Sequence, residues 1–145
     1  MLKKGIAIIL SVAMLLLVSS CQRVNRINKG GFVVGVLTGT VEQYPEDYQA
    51  SLSLKDNFGD FVITAQFADT NTIITGTPSV VEEALDLAEN GKVDALVFAK
   101  APKGTMAAIE AVKAKYPDML IICIAPEEEL RTISQKADLV LIYNE

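Results

Sequence analysis

The sequence predicts an α/β three-layer sandwich built on a parallel sheet with strand order 2-1-3-4-5. Three observations predict it. The runs starting at Phe32, Ala95 and Met119 are short and apolar without polar interruption, as strands buried on both faces of a parallel sheet are, and Leu139–Tyr143 is a further apolar run. Each is separated from the next by turn residues and a stretch of helical spacing, the pattern of strand–helix units joined by right-handed crossovers. One run, Phe61–Phe67, alternates instead: Phe61, Ile63, Ala65 and Phe67 are interleaved with Val62, Thr64 and Gln66. A period of two means one face is less buried, which puts this second strand at the sheet edge and the first in the interior.

Ahead of the domain, Lys3 and Lys4 precede the apolar run Gly5–Val18, and Ser19-Ser20-Cys21 closes it. That is a charged n-region, an apolar core and a small-residue cleavage site. The run is shorter than the roughly 20 apolar residues of a membrane-spanning helix. Val18-Ser19-Ser20-Cys21 resembles the bacterial lipobox, in which the cysteine is lipidated and becomes the first mature residue. The expectation is a signal peptide over residues 1–20 and a polar tether over 21–31, with the protein held by its lipid on the extracytoplasmic face of the cell membrane. With Cys21 committed, Cys123 is left inside an apolar strand, where it reads as a small buried hydrophobe rather than half of a disulfide.

From Phe32 the chain reads in order. FVVGVLTGT at 32–40 is the first strand and its turn. Pro45 then opens a helix, with Glu46 and Asp47 complementing its dipole, and Gly59 ends it. Tyr48, Leu52 and Phe58 give an imperfect inward stripe. After the alternating strand, Ala68–Thr77 is a polar loop. Thr77-Pro78 opens the second helix, with Ser79 and Glu82 as a competing capping box; Val81, Ala84, Leu85 and Ala88 face inward, and Asn90-Gly91 ends it. Ala95–Ala99 is the third strand. A helix capped by Gly104 or Thr105 runs from there to Tyr116, burying Met106, Ile109, Val112 and Tyr116. Met119–Ala125 is the fourth strand and Pro126–Ser134 a short helix with Glu127, Glu128 and Glu129 at its amino end. Carboxylates there complement the dipole, so capping accounts for them better than a metal site. Leu139–Tyr143 is the fifth strand.

Composition removes several function classes. Taking Lys3 and Lys4 from the 13 basic residues leaves 11 against 18 acidic ones, so the mature chain carries about −7. Such a surface repels phosphate backbones, and nucleic acid is not an expected partner. The chain has no histidine, which takes away the usual acid–base group at neutral pH and the commonest metal ligand. No GxSxG elbow, dinucleotide fingerprint or GxxxxGK[ST] phosphate loop is present. The chain therefore reads as a binding protein without catalytic residues, metal or cofactor.

In an open parallel sheet ligands bind outside the carboxyl ends of the strands. The turns there bring Thr38, Gly39, Thr40 and Gln43; Asp69, Thr70 and Asn71; Lys100, Ala101, Pro102 and Thr105; and Pro126 and Glu127. Hydroxyls, amides, an acid and a lysine suit hydrogen bonding to a small polar molecule. Tyr44 could stack on such a molecule or cover the core.

VGVLTGT at 34–40, Glu42-Gln43 with Glu46-Asp47-Tyr48, ALVFAKAPKGT at 95–105 and Ala137-Asp138-Leu139-Val140 resemble a bacterial lipoprotein family with a domain of unknown function. That family is similar to the type 1 periplasmic-binding fold of solute receptors in ABC importers. The resemblance implies two lobes closing on a solute, of which residues 32–145 would be the amino-terminal one, truncated before the second. It implies a small polar solute and a membrane permease as partners, and ligand contacts from Thr38, Gly39, Thr40, Gln43, Asp69, Lys100 and Thr105. Two other readings stay open: a flavodoxin-like cofactor binder or enzyme with a phosphate nest at Thr38–Thr40, and a surface solute sensor.

Overall fold

Five strands, all paired in parallel, form one sheet in the order β2-β1-β3-β4-β5, as the sequence predicts. The computed structural model describes residues 31–68, 77–90 and 92–143. Cys21 with the leader and tether, and Asp69, Thr70 and Asn71, lie outside the described residues. In chain order the elements are β1 (Val34–Thr38), α1 (Pro45–Phe58), a 3-10 turn (Gly59–Phe61), β2 (Val62–Gln66), α2 (Thr77–Glu89), β3 (Ala95–Phe98), α3 (Thr105–Lys115), β4 (Leu120–Ile124), α4 (Leu130–Ile133) and β5 (Leu139–Leu141). Among the described residues no helix is long and apolar enough to cross a membrane.

The core lies almost wholly on one face. Leu37, Leu96, Phe98, Ile121 and Cys123 point to that side and pack against Val80, Ala84 and Leu87 of α2, Ala108, Ile109 and Val112 of α3 and Ile133 of α4. Gly35 sits where α2 comes nearest: an added Cβ would lie 3.0 Å from Leu87. The register puts Val36 beside Thr64 and Val97, Val97 beside Ile122, and Ile122 beside Leu139, all on the opposite face. There α1 covers β1 and β2.

Local chemistry explains most boundaries, and three expectations are corrected. First, the buried residue of α1 is Ser51, flanked by half-buried Tyr48 and Leu52, while Phe58 is exposed. The Ser51 hydroxyl donates to Tyr48 O at 2.7 Å, back into its own helix. Second, Ser79 does not cap α2; its Oγ accepts from Ala68 N at 2.9 Å and ties down the chain leaving β2. Third, the expected helix over 126–134 shrinks to Leu130–Ile133. Glu128 is turned away to cap α3, accepting from Gly104 N at 2.9 Å and Met106 N at 2.8 Å. Gly104 itself stands at φ 97°, a left-handed entry to the helix that glycine adopts without a Cβ clash.

The amino ends of the strands are joined by two aspartates. Asp94, just before β3, accepts from Val33 N at 2.9 Å; Asp138, just before β5, accepts from Ile121 N at 2.7 Å. Asp138 also pairs with Lys113 Nζ at 2.9 Å. Its carboxyl is held below the ordinary value of 3.8, first by the Lys113 hydrogen bond and with help from the Ile121 amide, against a smaller opposing effect of burial.

A group whose folded pKa is depressed stabilises the fold above its unfolded pKa, and that stabilisation is lost as pH falls through the lower, folded value. Asp138→Asn should therefore lower the denaturation midpoint at neutral pH. Because the pair is partly open to solvent, the loss should be about 1 kcal/mol or less. The difference from the parent should vanish well below pH 3.8. Urea titrations across that range check both the sign and the window.

Candidate functional site

Parallel pairing delivers the turns after β1, β3 and β4 to one rim, and hydrogen bonds stitch them together there. Ala99 N donates to Leu37 O at 3.0 Å, Ala101 N to Ile124 O at 3.0 Å, and Glu127 N to Ala101 O at 2.8 Å. Tyr44 bridges from the first turn to the last, its OH donating to Glu127 Oε1 at 3.1 Å. Its ring meets Phe67 edge to face at 6.4 Å. Ala125, directly after β4, stands at φ 44°, a conformation side chains other than glycine rarely take. Such strain concentrates where a structure must aim a turn.

The expected site residues divide by role. Thr38 is fully buried at the end of β1, and among the described residues its Oγ1 is a buried side-chain oxygen without a hydrogen-bond partner. Gly39 is required by Tyr44, since an added Cβ would fall 2.2 Å from the ring. Thr40 closes the turn, its carbonyl accepting from Gln43 N at 3.1 Å and Tyr44 N at 2.9 Å. Gln43 and Lys100 are half-buried on the same rim. Thr105 is buried, with Oγ1 donating to Pro102 O at 2.7 Å, so its donor hydrogen holds its own turn. Asp69 lies outside the described residues.

Thr38 lines a half-open cavity of about 240 Å3 between α1 and the carboxyl ends of β1 and β2. Tyr48, Ser51, Leu52, Thr64, Ala65 and Gln66 complete it. Gln66 Nε2 donates to Gly39 O at 3.4 Å, linking the cavity wall to the turn after β1. The lining holds hydroxyls and an amide and no ionisable carboxylate or amine, which is the chemistry for a neutral hydrogen-bonding group. The sequence reading missed Thr64, Ser51 and Tyr48 as neighbours of Thr38. The alternation of β2 carried the signal for Thr64 and Gln66, but nothing local reveals that Ser51 is the inward position of α1.

Among the described residues no group of three or more acidic or cysteine side chains could hold a metal ion. Cys123 is buried, and desolvation, with a smaller effect of the Glu128 charge, pushes its thiol up to about 12. A thiol held so high carries almost no thiolate at neutral pH. Native protein should therefore leave Cys123 unmodified by a thiol reagent that labels it fully once denatured. Gly39→Ala should displace the Tyr44 ring and break its bond to Glu127, costing about 1–3 kcal/mol as overpacking does. A lowered thermal midpoint with altered tyrosine fluorescence is the expected result.

Among solved structures, one similar to this chain is a crystal structure described as a "Putative transcriptional regulator" from Clostridium difficile 630, with a TM-score of 0.65 and 18% identity. The alignment covers 78% of this chain and 34% of that one, so this chain matches about a third of that protein's length. At this identity the likeness concerns the fold. No curated protein matches the chain in sequence. The family model described as "Protein of unknown function (DUF3798)" matches residues 32–145, the whole α/β unit. The chain belongs to that family.

Proposed function

We propose that this α/β domain is one lobe of a lipid-anchored solute-binding protein that presents a small, neutral, polar solute to an ABC-type permease in the membrane. The observation that carries the reading is the buried, unpartnered Thr38 hydroxyl at the carboxyl end of the central strand β1, beside a polar cavity. A buried hydroxyl without a partner costs about 1–3 kcal/mol, and a ligand hydroxyl or amide can relieve that cost. Strand carboxyl ends are where open parallel sheets bind ligands. The lipobox-like Val18-Ser19-Ser20-Cys21 supplies the anchor in this reading. The residues given roles are those of binding: Thr38 toward the solute, Gly39 and Thr40 shaping the turn, with no covalent step.

A second reading draws on the structural neighbour, whose description is regulatory. In it the same lobe senses the solute and signals to a membrane partner instead of feeding a permease. Binding is common to both readings, and permease dependence of uptake separates them.

Thermal-shift screening of the full chain against neutral sugars, nucleosides and amides tests the binding. One class should raise the midpoint, by an amount that grows with the logarithm of ligand concentration once the site fills. Thr38→Val should leave the unliganded protein as stable as the parent or slightly more so, because it removes an unsatisfied oxygen at nearly constant shape. The same variant should lose most of the ligand-dependent shift. No shift with any class, or an equal shift in Thr38→Val, would refute the assignment.

A further inference from the structure

The hydroxyls that line the Thr38 cavity differ in what they have left to offer. A hydroxyl carries one hydrogen and two lone pairs. The inward position of a helix is ordinarily apolar, yet α1 keeps Ser51 there, 2% exposed and on the cavity wall. Its hydrogen goes to Tyr48 O at 2.7 Å, inside its own helix. What Ser51 Oγ holds toward the cavity is lone pairs. Thr38 is in the opposite condition. Its side chain leaves β1 on the face away from the core residue Leu37, and its buried Oγ1 has spent its hydrogen on no partner among the described residues. One wall has a hydrogen to give, and the other has a place to receive one.

We propose that Ser51 is the specificity-determining residue of this cavity, and that it selects a solute carrying a hydrogen-bond donor, an O–H or N–H, next to an acceptor. The requirement rests on the binding reading proposed above and narrows its solute class. A solute acceptor set against Ser51 would have to draw the hydrogen away from Tyr48 O, so one bond forms and one is lost. A solute donor breaks nothing. It uses an idle lone pair, while the neighbouring solute acceptor takes the Thr38 hydrogen. A hydroxyl group supplies both functions from one oxygen, and a primary amide supplies them from adjacent atoms. An ether, a ketone or a tertiary amide supplies only the acceptor. A carboxylate fails for the same reason and for a second one, since among the described residues the lining holds no cation to offset its charge. Sites built to bond a polar group reject analogues that lack it strongly, because a buried atom of the site is then left without a partner.

Titration of the isotope-labelled full chain with two matched pairs tests the proposal, read from the backbone amide signals of Thr38, Ser51 and Thr64. The pairs are D-ribose with its fully O-methylated methyl riboside, and acetamide with N,N-dimethylacetamide. At least one donor compound should shift these signals, and its methylated partner should bind at least about tenfold more weakly. In Ser51→Ala the donor compound should weaken by about tenfold and the gap within the pair should close, whereas Thr38→Val should weaken both members. Ser51→Ala should keep the parent's circular dichroism, alanine being the better helix former, and the pairs on the parent chain decide the matter even without it. A methylated compound that binds as tightly as its partner would overturn the proposal, as would a Ser51→Ala chain that keeps the gap. In either case, binding that still depends on Thr38 leaves the binding reading standing. Silence from every compound, the result if the cavity holds water alone, would also overturn the proposal, and the wider solute screen then judges the binding reading by itself.

Discussion

Parallel pairing is the constraint from which the rest of this molecule follows. A strand that must run alongside its predecessor in the same direction needs a crossover, and the crossover needs a helix to return the chain to the starting edge. Every strand therefore exits at one rim and every helix returns to the other. The exit rim gathers the threonines, Gln43, Tyr44, Lys100 and Glu127, although they are far apart in sequence. The entry rim gathers Asp94 and Asp138. No single contact creates this separation of polar groups; the direction of the hydrogen-bond ladder does.

Within that frame the two faces of the sheet have different characters. On one, Leu37, Leu96, Phe98 and Ile121 meet three helices and exclude water, forming the large core. On the other, α1 is the one helix among the described residues; it turns Ser51 inward and leaves Thr38, Thr64 and Gln66 beside a cavity. Stability resides on the first face, and the second can carry polar groups at little cost to the core. Thr38 and its neighbour Leu37 are both fully buried, one on each face of β1.

Much of this was legible in the sequence, and what was not has physical causes. The strand order followed from the strand–helix repeat, and the alternation of Phe61–Phe67 agreed with the edge place that order gives β2; β5, apolar without alternation, holds the other edge and carries no such mark. Helix ends followed from Pro45, Gly59 and Gly104, whose backbone preferences are local. The inward face of α1 did not, because its buried residue, Ser51, is polar and no apolar stripe marks it. Nor did the use of Glu128, since its partner, the amino end of α3, lies more than twenty residues away in the chain. Thr105 looked like a rim residue and proved to be an internal tie, a distinction that depends on which way one hydroxyl turns. Thr38 and Gly39 were placed at the rim by position alone; the burial of the Thr38 hydroxyl and the approach of Tyr44 to Gly39 depend on contacts that no local pattern announces.

The paired aspartates at the entry rim act as latches between neighbouring strands. Strand β1 cannot slide along β3, nor β4 along β5, without pulling a backbone amide off its carboxylate. The alignment of the sheet is thus keyed at its base by two side chains that take no part in the opposite rim. Loops at that rim can change length or composition without unsettling which residue stands beside which, and the scaffold can accept a new set of contacts there while its strands stay aligned.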